Sequence, residues 1–194
     1  MPGNVGPVAD EREGLLAFLA QQRYVVRLAT YGLTDEQATA TPSASAFSLG
    51  GLIKHLALVE RNWVAIIQQR THGSVDEYTE NLRLRPGETL TSVLAAYEEA
   101  ARQTDEVIAA VEDLGQPVPV PKGVPWFPQD IEAWSVRWVL LHLIQETARH
   151  AGHADIIRES LDGATAMPLL AAAEGWPATP WLQPWQPSEA GKVV

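Results

Sequence analysis

Five histidines stand in a chain of 194 residues that has no cysteine. Three of them, His142, His150 and His153, fall in one short window, with Glu146 between the first two. Their spacing of i, i+4, i+8 and i+11 puts all four on one side of an α-helix. That side coincides with or borders the stripe that Val139 and Leu143 assign to a core. Ionisable groups turned toward a core cost free energy unless they are paired or bound to a metal. Glu146 and His150, four residues apart, can bind one ion from a single helical turn. A third ligand must then come from another helix, and His55, set among Leu52, Leu56 and Val59, is the candidate. Three protein ligands with an open fourth position is the usual plan of a catalytic zinc site. Two plainer readings stand beside this one. His55 taken alone reads first as a core histidine bonded to a carbonyl. Glu146 and His150 read as an intrahelical pair worth about 0.2–0.5 kcal/mol. His72, next to Gly73, reads as a helix-end residue.

The elements that must position these groups are marked out by proline, which is costly inside a helix. Four long stretches, 8–41, 43–85, 87–116 and 129–167, contain none, and each carries a helical apolar period. Leu15, Leu16, Leu19, Tyr24, Val26 and Leu28 predict a helix over about 10–31, with Gly32 as a C′ residue. The segment Thr34-Asp35-Glu36-Gln37 has the form of a capping box and predicts a short extra turn. A second long helix starts at the N-cap Ser48, runs through Leu52, Leu56, Val59, Trp63 and Ile66, and frays near 72–73. A third opens at Glu88 or Thr89 and carries Leu90, Val93, Leu94, Tyr97, Thr104, Ile108 and Val111 inward. A fourth starts at Ser135, ends near 161–163 with Gly163 as its cap, and is about 40 Å long. Asp155 with Arg158, and Arg158 with Asp162, read as solvated helix-end pairs.

No segment shows strand alternation. Val118-Pro119-Val120-Pro121 is extended, but its prolines bar it from a central strand. The fold class expected is all-α: a four-helix bundle with long connections at about 72–88 and 113–133. The bundle occupies residues 1–165. Residues 166–194 form a Trp/Pro-rich extension, and Trp176, Trp181 and Trp185 predict that it packs on the bundle or on a partner subunit, ending in a disordered 189–194. Trp126 and Trp138 read as core or as pocket-lining residues.

Composition closes off several functions. Apolar residues are 46% and charged residues 20%, and the formal net charge is −10 with no Lys/Arg-rich block. Nucleic acid and anionic membrane surfaces are therefore not expected as partners. No apolar run approaches the ~18 residues of a membrane span. The acidic start lacks a signal-peptide core, so the expected location is the cytoplasm. Without cysteine, any metal must be held by imidazole and carboxylate, and any thiol chemistry needs a thiol from outside. There is no glycine-rich phosphate loop and no G-x-S-x-G elbow.

Two segments carry a family resemblance. One is Phe47-Ser48-Leu49-Gly50-Gly51-Leu52-Ile53-Lys54-His55; the other runs from Trp134-Ser135 through His142 and Glu146 to His150-Ala151-Gly152-His153. They resemble the DinB/YfiT-like metalloprotein superfamily and, within it, the mini-circle or mycothiol-transferase-like branch, over roughly 10–165. The resemblance implies a bundle with one metal-binding His from the second helix, here His55. It implies two more ligands four apart on the last long helix, here Glu146 and His150. Glu146 stands where many members have His, and a Glu at that place is a feature of the mycothiol-dependent branch. His153 replaces the Gln of many relatives and is a fourth ligand or a group behind the ligands; His142 is a further candidate for the latter role. The implied cofactor is a divalent metal, zinc first, with nickel, iron or manganese able to use the same ligands. The implied activity is S-transfer from a low-molecular-weight thiol such as mycothiol to a small electrophile, or isomerisation of one. A thiol-independent metal hydrolase and a non-catalytic, stress-related bundle are the alternatives. The excess of arginine over lysine suits a high-GC bacterial gene, and a homodimer is compatible with the apolar tail.

Overall fold

The computed structural model describes residues 3–70 and 82–187. His72, the fraying expected at 72–73, and the chain end at 189–194 lie outside the described residues. The described chain is mostly helix. It runs α1 (Glu11–Leu28), α2 (Asp35–Thr39), α3 (Leu49–Ile67), α4 (Leu90–Ala110), β1 (Pro117–Pro119), β2 (Ala133–Ser135), α5 (Val136–Asp162) and α6 (Ala166–Ala173).

Local chemistry starts and stops each long helix. Asp10, Ser48, Thr89 and Ser135 accept from the backbone N–H three residues on, satisfying a donor that the first turn leaves free. Thr34 with Gln37, and Thr89 with Ser92, close reciprocal capping boxes. Gly163, at φ +75°, ends α5 in the left-handed conformation. Two ends differ from expectation. Helix α3 stops at Ile67 because Gln69 turns left-handed at φ +53° and the Arg70 N–H bonds back to the Ala65 carbonyl. Helix α1 stops at Leu28, and Gly32 follows a further turn rather than capping the helix.

The four long helices pack side by side as an all-α bundle in which α3 lies against both α4 and α5, and α1 against α5. One core cluster centres on Leu52, Leu56, Tyr97, Ala154 and Ile157. A second, toward the other end, holds Leu19, Val59, Trp63, Ile108, Val139 and Leu143. The first turn of α3 is tightly crossed. A Cβ on Gly51 would stand 2.0 Å from the Leu82 carbonyl oxygen, and one on Gly50 would stand 2.3 Å from a Leu84 methyl.

Two findings add to the sequence reading, and one, at Arg158, corrects it. A two-stranded antiparallel ribbon is present, pairing Val118 with Trp134. Both of its strands are edges, so the prolines flanking Val118 cost no ladder bond. Arg158 is not a solvated helix-end residue; it is fully buried. Its guanidinium donates to the carbonyls of Ala29 and Tyr31 at 2.8 and 2.9 Å, its Nε donates to Asp162 at 2.9 Å, and it lies 4.9 Å from the Trp185 ring centroid. The loose carbonyls at the end of α1 supply the partners that solvent was expected to supply. Finally, the three tail tryptophans have different surroundings. Trp185 packs against Arg158 and Tyr31 and lies 2.7 Å from where a Cβ on Gly32 would stand, whereas Trp181 is 76% exposed.

A buried ion pair ties three helices together. Arg23 on α1 donates from Nε and Nη2 to both oxygens of Glu60 on α3, at 2.8 and 2.7 Å. Thr104 on α4 donates to the same carboxylate at 2.7 Å, and Arg23 also reaches Asp105. Both members of the pair are buried. Truncating one partner of such a pair strands the other charge. Urea unfolding of Glu60→Ala should therefore show a loss of about 3–5 kcal/mol. A loss below about 1 kcal/mol would mean that the pair is not what aligns these helices.

Candidate metal centre

The α3/α5 seam brings three of the candidate ligands to one point. His55 faces α5 because Leu52, Leu56 and Val59 seat α3 in the core, and Glu146 and His150 project from successive turns of α5. His150 Nε2 lies 3.1 Å from Glu146 Oε1, and His55 Nε2 lies 3.5 Å from the same oxygen. One donor atom from each residue falls within 4.8 Å of the others. The two imidazoles meet edge to face at 4.9 Å. His55 and His150 are buried and Glu146 is partly so.

This donor set fits a divalent cation. Atoms bound to one tetrahedral ion at ~2.0–2.1 Å stand about 3.3–3.4 Å apart, close to the two short separations seen here. Both rings present Nε2 to a single carboxylate oxygen, so the three donors converge rather than pair off. Hydrogen bonding by His150 and then by His55 holds the Glu146 carboxyl far below the usual carboxylate range, against burial, which pushes it up. The carboxylate is therefore ionised and ready to ligate.

The remaining histidines are placed differently. His153 Nδ1 lies 3.4 Å from His150 Nδ1, on the ring edge away from Glu146. Burial lowers its pKa, helped by His150 and Arg149. His142 makes no hydrogen bond to the other three. Its ring stacks on Trp138, with centroids 5.1 Å apart and planes 6° apart, and meets the edge of Trp63 at 5.0 Å. Burial pushes its pKa down, while the charge of Glu146 opposes that shift.

Two features of the site were not singled out from sequence. Phe47 packs against His150 and His153, with centroids at 5.9 and 5.6 Å. Its signal was its position just before the Ser48 cap, where an apolar residue turns inward. The Gly50-Gly51 pair lets the returning chain cross one turn below His55; the doublet itself was the signal. A groove of about 460 Å³ between α1 and α4, lined by Arg27, Tyr31, Leu90 and Leu94 among others, contains none of the candidate ligands.

Fold and site together define an all-α bundle protein with a His/Glu/His cluster able to hold a metal ion. The comparisons with known proteins make this more specific: the mycothiol-S-transferase family model matches residues 14–163, and the chain belongs to that family. A crystal structure of a conserved protein from Enterococcus faecalis is similar at 13% identity with a TM-score of 0.58, covering 81% of this chain and 100% of that one. At that identity the likeness speaks for the fold alone. Comparison with curated proteins finds no match. No helix among the described residues is long and apolar enough to cross a membrane.

Metal analysis of dialysed, zinc-refilled protein should find about one ion per chain, with stoichiometry lost in His55→Ala and Glu146→Ala. Retention of a full equivalent by both variants would place the metal elsewhere.

Proposed function

We propose that this protein activates a low-molecular-weight thiol, mycothiol in the first instance, for S-transfer to a small electrophile, using a divalent cation, best zinc, held by His55, Glu146 and His150. The observation that carries this reading is the convergence of three donors on one point in a chain of the mycothiol-S-transferase family. The absence of cysteine agrees with it, because the nucleophilic sulfur must then be brought in.

A divalent cation beside two imidazoles and one carboxylate keeps a net positive charge of about one and supplies the Lewis acidity that lowers a thiol's pKa. The chain's own residues do the rest. Glu146 stays ionised and offers one oxygen to the point where both imidazoles converge. Phe47 packs on His150 and His153 and buttresses their rings. His153 orients His150 from behind, through the contact between their Nδ1 atoms. The thiol proton leaves to solvent, and the sulfur lone pair then forms a C–S bond as the leaving group departs with the C–X electrons. Addition to a conjugated electrophile follows the same course, with the proton returning from solvent to carbon.

Mycothiol-dependent turnover of a general alkylating electrophile should fall at least about a hundredfold in His55→Ala and Glu146→Gln. Equal turnover without any thiol would replace this reading with metal-assisted hydrolysis. His153→Ala should weaken zinc binding by about tenfold to a hundredfold, as removal of an orienting partner does. Competition with a chromophoric chelator measures it, and an unchanged affinity would release His153 from that role.

A further inference from the structure

Arg12, Arg23 and Arg27 stand in turn along α1 on the side toward α4. The first two bridge to α4. Arg12 donates to the carbonyls of Ile108 and Glu112, and Arg23 donates to Asp105 at 2.9 Å besides its pair with Glu60. Arg27 has no hydrogen bond or ion pair from its guanidinium among the described residues. It lies instead on the wall of the groove of about 460 Å³ that separates the end of α1 from the first turns of α4. That volume is within the range of about 300–1,000 Å³ usual for small-molecule pockets.

The lining has two chemical parts. Leu28 and Leu90 are buried and Leu33 and Leu94 half-buried, which makes an apolar surface between the helices. Two charges stand on it, Arg27 and Asp35. Asp35 is already committed: its Oδ1 accepts from the Leu90 N–H at 2.8 Å, at the positive end of α4. Tyr24 is committed as well, donating to Glu174 at 2.5 Å. The guanidinium, with a fixed fork of N–H donors, is the charged group left to meet a ligand. A neutral apolar occupant would leave those donors unmet, and a cation would be repelled.

We propose that this groove binds an amphiphilic monocarboxylate, apart from the metal cluster. The carboxylate takes two parallel bonds from Arg27, the geometry a planar guanidinium favours. The hydrocarbon body lies on the four leucines and removes their exposed surface from water. Neither bond requires the metal or the thiol, so the site is independent of the transfer chemistry.

The test is calorimetric titration of the zinc-loaded full chain with octanoate, kept below its aggregation concentration, beside octylamine, octanol and butyrate. Octanoate should bind saturably. Octylamine should bind at least about tenfold more weakly, because its charge meets the guanidinium. Butyrate should also be weaker by about tenfold or more, because it lacks the methylenes that cover the leucines. Arg27→Gln should weaken octanoate by about tenfold and leave octanol unchanged, while Arg27→Lys keeps octanoate within about threefold. Arg27 is exposed, and circular dichroism checks that both variants fold. His55→Ala, which disables the metal cluster, should bind octanoate as the parent chain does. Loss of octanoate binding in His55→Ala would put the carboxylate on the metal ion and overturn the site. No saturable binding, equal binding of octylamine, or an unchanged affinity in Arg27→Gln would overturn it too. Selective octanoate binding through Arg27 supports the site whether or not mycothiol turnover is found.

Discussion

The buried carboxylate of Glu60 constrains everything else in this bundle. It takes two bonds from Arg23 and one from Thr104, so α1, α3 and α4 meet at one charged point away from solvent. Apolar packing tolerates sliding and rotation of helices; a bidentate guanidinium–carboxylate pair does not, because an axial slip of an ångström leaves a charge without its partner. Glu60 lies five residues beyond His55, or about 140° around the helix. Once Glu60 is turned toward α1 and α4, His55 is turned toward α5. The rotation that satisfies the ion pair is also the rotation that presents an imidazole to Glu146 and His150.

Helix α5 answers with a ridge that changes character along its length. Trp134, just before the helix, and Trp138 and His142 in its first turns form a stack of flat rings, and Glu146 and His150 follow as donors, all at four-residue intervals. Residues four apart form an inclined row on a helix surface, so rings and donors lie in one continuous line against α3. Trp63 and His55 face that line from α3, two turns apart. The seam thus carries an apolar section and a polar section on two rigid elements, with little freedom for one to move relative to the other.

Much of this was legible in the sequence because it is local. Ser48, Thr89 and Ser135 cap helices through atoms three residues away, and Gly163 ends α5 through its own φ. The spacing of Glu146 and His150 fixes their mutual reach on any helix. His55 was a candidate from its inward place among Leu52, Leu56 and Val59, and the resemblance matched it to the pair, since a contact across 91 residues leaves no periodic trace of its own. What was misread is likewise long-range. Arg158 and Asp162 have the spacing of a surface pair, and only the returning tail and the end of α1 make that place an interior. The Val118–Trp134 ribbon depends on a partner strand too short to show alternation. The parallel stack went unseen because Trp138 and His142 were taken separately, as a core or pocket residue and a possible partner of the ligands, and Trp134 only as part of a family segment. Their four-residue spacing held the information.

Gly32 and Trp185 show how one small residue binds distant parts of a chain to a common history. Gly32 has a backbone conformation that disfavours side chains, at φ +72°, and the Trp185 ring occupies the space any Cβ would need. A lineage that placed a larger residue at position 32 would displace the ring and uncover the Arg158 guanidinium, two turns along α5 from His150. The two positions are therefore free to change only together. The tail, which carries none of the candidate ligands, is inherited as a condition of the helix that carries two of them.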